Sequence, residues 1–189
     1  MKYGLIYIIR EPILLSMSLT ELIPVLFIGV AILGAVIQII REPRAVSHSR
    51  MAEIFLSWAF VVIIGLGGIW AFIGHTVFAE RVAESIGWPS GNPFQQEVAF
   101  ANLAIAILGI LSVRIEGTFR IAALIAYAIF MVGAGIGHIW QIYTIHDMAI
   151  NNAGPILWLD FCMPLILIGL YLFSVLLKKR EAQPSLRRH

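Results

Sequence analysis

Residues 22–40 contain no charged side chain and stop at Arg41-Glu42-Pro43-Arg44, where charge and proline together end a helix. A helix of that length reaches about 28 Å, the thickness of a bilayer's hydrocarbon core. Inside lipid every backbone polar group must be satisfied within the chain, so only helices or a closed barrel can cross. An unbroken apolar run without alternation selects the helix. Four further runs repeat the pattern, at about residues 54–75, 93–113, 121–138 and 156–177. The chain is 60% hydrophobic and only 13% charged, where a soluble domain carries about a quarter charged residues. The expected fold is therefore an all-α integral membrane protein with five transmembrane helices, one leading helix followed by a four-helix bundle. It forms a single domain over residues 1–189: leading helix and basic linker at 1–50, one hairpin at 51–113, a second at 114–180, and a flexible tail at 181–189.

The boundaries come from local chemistry. Residues 1–11 hold too short an apolar stretch for a signal peptide, and read as an uncleaved interfacial segment. Glu21 precedes the first span as a helix-start acid. The second helical pattern runs past its span through Ala79 to Ile86, until Gly87-Trp88-Pro89-Ser90-Gly91-Asn92-Pro93 breaks it. The fourth extends similarly to Asp147 and ends at Asn151-Asn152-Ala153-Gly154-Pro155. Basic residues collect after spans one, three and five, including Arg41, Arg44, Arg50, Arg114, Arg120 and Lys178 to Arg180. The positive-inside rule then places those ends and the carboxy terminus in the cytoplasm of a cell membrane, with the amino terminus outside. Trp88, Trp140 and Trp158 fall at one boundary, as interfacial anchors do. Cys162 is the only cysteine and lies in an apolar run, so neither a disulfide nor a thiolate cluster forms within the chain. A net charge of +2 excludes nucleic acid as a partner; the lipid bilayer is the expected partner, with a second copy or another membrane subunit beside it.

The two hairpins look duplicated. A shift of 63 positions lays Gly74-His75 on Gly137-His138, Glu84 on Asp147 and Glu97 on Asp160. Spans two and four then run in the same direction, a parallel repeat about an axis along the membrane normal. Their glycines and alanines predict tight packing of these two spans near that axis.

Ionisable residues within spans are costly and usually face a bundle interior or a water-filled cavity. Two histidines and two carboxylates, His75, Glu97, His138 and Asp160, are the ligand types of an iron, zinc or manganese site built from facing helices. Depth along the helices argues for two layers instead. With hairpin turns centred near Ser90 and Asn152, Asn102 falls level with His75, and His138 lies about 9 Å deeper than Asp160. An outer polar rim of Glu80, Glu84, Glu97, His146, Asp147 and Asp160 would then cover an inner layer of His75, Asn102 and His138, unless the extended segments bend over. A plainer reading makes the histidines helix-bridging groups, and Glu97 and Asp160 helix-start acids after Pro93 and Pro155.

The segment Gly87-Trp88-Pro89, followed by Ala99-Phe100-Ala101-Asn102-Leu103-Ala104 and on to Gly109, resembles the DoxX-like group of small membrane proteins. The resemblance implies a four-helix membrane core and a group that includes a quinone-linked sulfur-oxidising subunit. Asn102 stands where that group commonly has a glutamate, and the leading span is additional to the pattern.

Together these readings predict an outward-facing polar cavity that binds a metal ion or a small quinone-like ligand through His75, Asn102 and His138, with a redox link. A non-catalytic scaffold or complex subunit, and a cation or proton transporter, are the competing functions. Phosphate-binding glycine loops, nucleophile elbows and haem-attachment cysteines are absent from the sequence.

Overall fold

Proline, glycine and charge interrupt the chain, and between the interruptions it is helical. The computed structural model describes residues 19–183; the interfacial segment read at residues 1–11 and the end of the tail, 184–189, lie outside the described residues. The elements are α1 (Leu19–Arg41), α2 (His48–Trp58), a π-helical segment (Ala59–Leu66), α3 (Gly67–Val77), α4 (Ala79–Ile86), α5 (Phe94–Leu111), α6 (Thr118–Ile145), the short α7 (Ile150–Ala153) and α8 (Pro155–Ala182). The described residues include no strand. Five helical stretches, with α2, the π segment and α3 continuous as the second, are long and apolar enough to cross a bilayer. The protein is an all-α membrane protein.

Local signals account for most ends. Ser47 caps α2, its side chain accepting from the Arg50 amide at 3.3 Å. Pro93 precedes α5 and Pro155 opens α8, where a missing N–H is harmless. Gly87 takes φ +85° at the end of α4, the left-handed conformation that closes a helix most easily with glycine. The π segment is a departure from the sequence reading: i→i+5 bonding rotates the helix faces on either side of it relative to one another.

The bundle is a ring. The second span packs along α5, α5 touches α6, α6 packs along α8, and α8 returns to α2, while α1 leans on the outside of α2 and the π segment. Spans two and four are thus diagonal, and the tight axial packing expected of them is not found. Their small residues close each hairpin internally instead. A Cβ on Gly68 would meet the Asn102 carbonyl and Ala106, one on Gly109 would meet Ile64, and one on Gly135 would meet Phe161. Across the diagonal, larger side chains fill the gap: Leu56, Ala59, Phe60 and Ile64 meet Ala123, Leu124, Tyr127 and Leu167 in the apolar core. Trp58 fixes the leading helix, lying where a Cβ on Gly34 would be and donating to Gln38 at 2.8 Å, so it joins helices. Trp140 and Trp158 are exposed on the periphery as anchors require.

At the basic end, α8 is zipped to α2. Glu181 accepts from the Ser47 hydroxyl and from the Ser49 amide and hydroxyl, and Glu53 takes Lys178 at 2.6 Å and the Ser174 hydroxyl at 3.2 Å. Arg120 reaches across from α6, pairing with Glu53 and donating through Nε to the Ser112 carbonyl at 2.7 Å. Its guanidinium also stands 5.9 Å from the centre of the Phe60 ring. Arg120, counted by the positive-inside rule among the basic residues after the third span, is only 3% exposed.

Candidate functional site

At the opposite end the two Gly-His histidines are held in the same way by different residues. Gln95, the second residue of α5, donates from Nε2 to the Ala79 carbonyl at 2.5 Å. That leaves its oxygen facing His75 Nδ1 at 2.8 Å, and an amide oxygen only accepts, so the proton sits on Nδ1. Asn152, fully buried in α7, donates from Nδ2 to the Asp147 carbonyl at 2.8 Å and presents its oxygen to His138 Nδ1 at 2.6 Å. In a neutral ring held this way Nε2 is the nitrogen with the free lone pair. Orienting an imidazole through its other nitrogen is how proteins prepare it to meet a ligand.

His138 Nε2 faces Asp160 Oδ2 at 3.7 Å, too far for a direct hydrogen bond. Both side chains are buried, and that Asp160 oxygen has no hydrogen-bond donor among the described residues. The helix geometry explains the meeting. The sequence reading centred the turn near Asn152 and separated the two residues in depth. In the structure α6 ends at Ile145 and the chain folds inward at once, tucking α7 into the bundle and starting α8 at Pro155, so the effective turn lies about four residues earlier. His138 and Asp160 come level, and the two-layer separation does not hold for this pair.

The first hairpin shifts likewise. The second span breaks at Phe78 (φ −112°) and α4 bends over, the condition named above for the layers to change. Gln95 therefore stands beside His75, and Asn102 lies deeper, donating to the Val98 carbonyl of its own helix at 2.9 Å. Asn102 is not a neighbour of the histidine. Trp88 and Phe94 complete that corner, with the His75 and Trp88 ring centres 6.2 Å apart and those of Trp88 and Phe94 5.7 Å apart.

The remaining residues of the expected rim separate. Glu80, Glu84, Glu97 and His146 are exposed, and Glu97 occupies the first turn of α5 as a helix-start acid. Asp147 turns inward and Asp160 sits beyond the first turn of α8. Of the four residues read as a metal set, His138 and Asp160 are together while His75 and Glu97 stand elsewhere. Among the described residues no three His, Cys, Asp or Glu side chains gather as a metal centre would require.

Four buried side-chain oxygens among the described residues have no donor: Gln141 Oε1, Asp147 Oδ2, Asn151 Oδ1 and Asp160 Oδ2. All belong to the segment from α6 to the start of α8. Gln95, Asn151 and Asn152, the amides that organise this end, were missed in the sequence. Asn151-Asn152 reads as turn chemistry, and the only clue to its burial is the apolar and proline-rich company on its carboxyl side. Beside them, Val25, Ala153, Gly154, Pro155, Trp158 and Leu159 line an apolar groove of about 510 Å³ between α1 and α8.

Residues 21–180 match the pattern of a family of unknown function, DUF6790. The chain belongs to that family. Its span takes in the five apolar helices and both hairpin ends, so the histidine-amide arrangement lies within the matched residues. Neither a curated protein nor a solved structure matches the chain.

Proposed function

We propose that this DUF6790 chain binds a small quinone-like ligand at the His138–Asp160 pair, and takes it in from the lipid through the groove between α1 and α8. The observation that carries this reading is the buried Asp160 oxygen, without a donor and 3.7 Å from a histidine nitrogen whose lone pair is fixed toward it. A hydroxyl of a quinol supplies the missing donor. The groove is apolar and open at the surface, and its lining residues Ala153 and Leu159 directly adjoin Asn152 and Asp160 in sequence. The likeness of residues 87–109 to the DoxX-like group, with its quinone-linked member, points the same way. A metal ion at this pair would have two protein ligands where such ions take three or four.

By the positive-inside rule this end faces outward. The two hairpins derive from one duplicated hairpin, a reading supported by the repeated Gly-His pair and its two carboxamide partners. A cation or proton path is disfavoured, because the apolar core from Leu56 to Leu167 lies between this end and the Arg120 cluster. The scaffold reading draws on the same amide bonds, since they also bridge helix to loop.

The test is quenching of tryptophan fluorescence in purified protein by a short-chain quinol. Saturable quenching that weakens at least tenfold in Asp160→Asn and in His138→Leu is expected. Folded variants that quench as the parent does would leave the scaffold, and stoichiometric metal lost with His138→Leu would replace the quinol by a metal ion.

A further inference from the structure

A second site lies where the two hairpin ends touch. Asp147 rests its carboxylate against Gly87, so closely that a Cβ there would run into it. One oxygen accepts from the Ala149 amide at 3.0 Å; the other is buried with no donor. The end of α4 supplies none. Gly87 N–H already donates to the Glu84 carbonyl at 3.2 Å and Trp88 N–H to the Ala83 carbonyl at 2.8 Å. Asn151, 8% exposed, approaches the same helix end, donating from Nδ2 to Ser85 Oγ at 2.9 Å while its oxygen stays buried and unpartnered. Ser85 in turn donates to the Val82 carbonyl at 2.8 Å, so its hydroxyl proton is committed.

Two helix ends at this corner present carbonyls. Gly87 ends α4, and Asp147 follows two residues after the end of α6, so the carboxylate sits at the negative ends of two helix dipoles. A carboxylate is ordinarily destabilised there. The ionisable side chains on the adjoining elements, Glu80, Arg81, Glu84 and His146, are all exposed, and among the described residues none of them forms an ion pair with Asp147. A cation would satisfy both donor-less oxygens, one of them charged, beside two helix C-terminal ends.

We infer that Asp147 and Asn151, against the Ser85–Gly87 end of α4, form a binding site for a hard divalent cation of the calcium type. One carboxylate with neutral oxygens is the ligand set of such an ion, whose remaining positions take carbonyls and water. Zinc and iron draw on imidazole and thiolate; the one imidazole adjoining Asp147 in sequence, His146, is exposed. The ion would clamp the two hairpin ends together. With a single charged ligand its affinity falls in the weak range, a dissociation constant on the order of 10⁻⁴–10⁻³ M.

The experiment is calcium titration of the full chain in detergent, followed by calorimetry and by the unfolding temperature. One saturable site is expected, with an unfolding temperature that rises with calcium as ligand linkage requires. Asp147→Asn should weaken binding at least tenfold and remove the temperature rise, while Asp160→Asn and Glu84→Gln leave both unchanged. If Asp147→Asn does not fold, Asn151→Leu takes its place with the same expectation. Absence of saturable calcium binding in the parent chain, or binding that survives Asp147→Asn but is lost in Asp160→Asn, overturns the assignment.

Discussion

An imidazole has two nitrogens, and two carboxamides decide which one carries the proton in each Gly-His histidine. Gln95 and Asn152 have their amide nitrogens engaged by the carbonyls of Ala79 and Asp147, so their oxygens must receive the ring N–H. Nitrogen-15 spectra of labelled histidine should therefore show both rings protonated at Nδ1 when neutral, and Asn152→Leu should free His138 from that preference. Asn152→Leu also leaves the Asp147 carbonyl and the His138 N–H without partners in a buried place. The expected loss is about 1–3 kcal/mol for each group stranded, read as a lower unfolding temperature. Asp160→Asn should behave oppositely. It replaces an oxygen that receives no hydrogen bond by a neutral amide of the same shape, so stability should hold or rise while quinol binding falls.

Among the elements, the spans were legible and the turns were not. Each span is a long apolar run closed by proline, glycine or charge, and such signals act within a few residues. The position of a turn depends instead on whether a helix continues straight or folds back, which packing decides. At Phe78 the chain bends, and at His146 (φ 56°) it reverses into the bundle. Both turns then fall about four residues earlier than composition suggested, one helical turn, enough to replace Asn102 by Gln95 beside His75 and to bring Asp160 level with His138. The polar residues were therefore identified by type and misplaced by depth. Glycines show the same split between composition and packing. Gly68 and Gly109 abut the neighbouring helix so closely that Gly68→Ala and Gly109→Ala should each cost about 1–3 kcal/mol. Gly133 and Gly137 face open space, and Gly137→Ala should be neutral or gain up to about 1 kcal/mol of helix propensity. Parallel unfolding measurements on the three variants check this, and a destabilising Gly137→Ala would mean that the glycine of the second Gly-His pair has a packing role.

Across the whole molecule, polar groups occupy the two ends and an apolar core separates them. Arg120, Tyr127 and His138 lie on one face of α6, because the eighteen residues from first to last make five helical turns, about 27 Å. That spacing was available in the sequence, yet an arginine at a span boundary also satisfies the positive-inside rule, and topology masked its burial. The Arg120–Glu53 pair is the only contact that ties the diagonal spans by charge among the described residues. Removing one partner strands a buried ion, so Arg120→Met should cost about 3–5 kcal/mol. Glu53 would keep Lys178 and Ser174, which places the loss toward the lower figure. Replacing both, as Glu53→Leu with Arg120→Met, removes the uncompensated charge and leaves Lys178, half exposed, free to reach water. Stability should then return to near that of the parent. If unfolding of the double variant shows instead that the two losses add, Glu53 and Arg120 act independently, and the basic end is held by the α2–α8 zipper rather than by the charge pair across the diagonal.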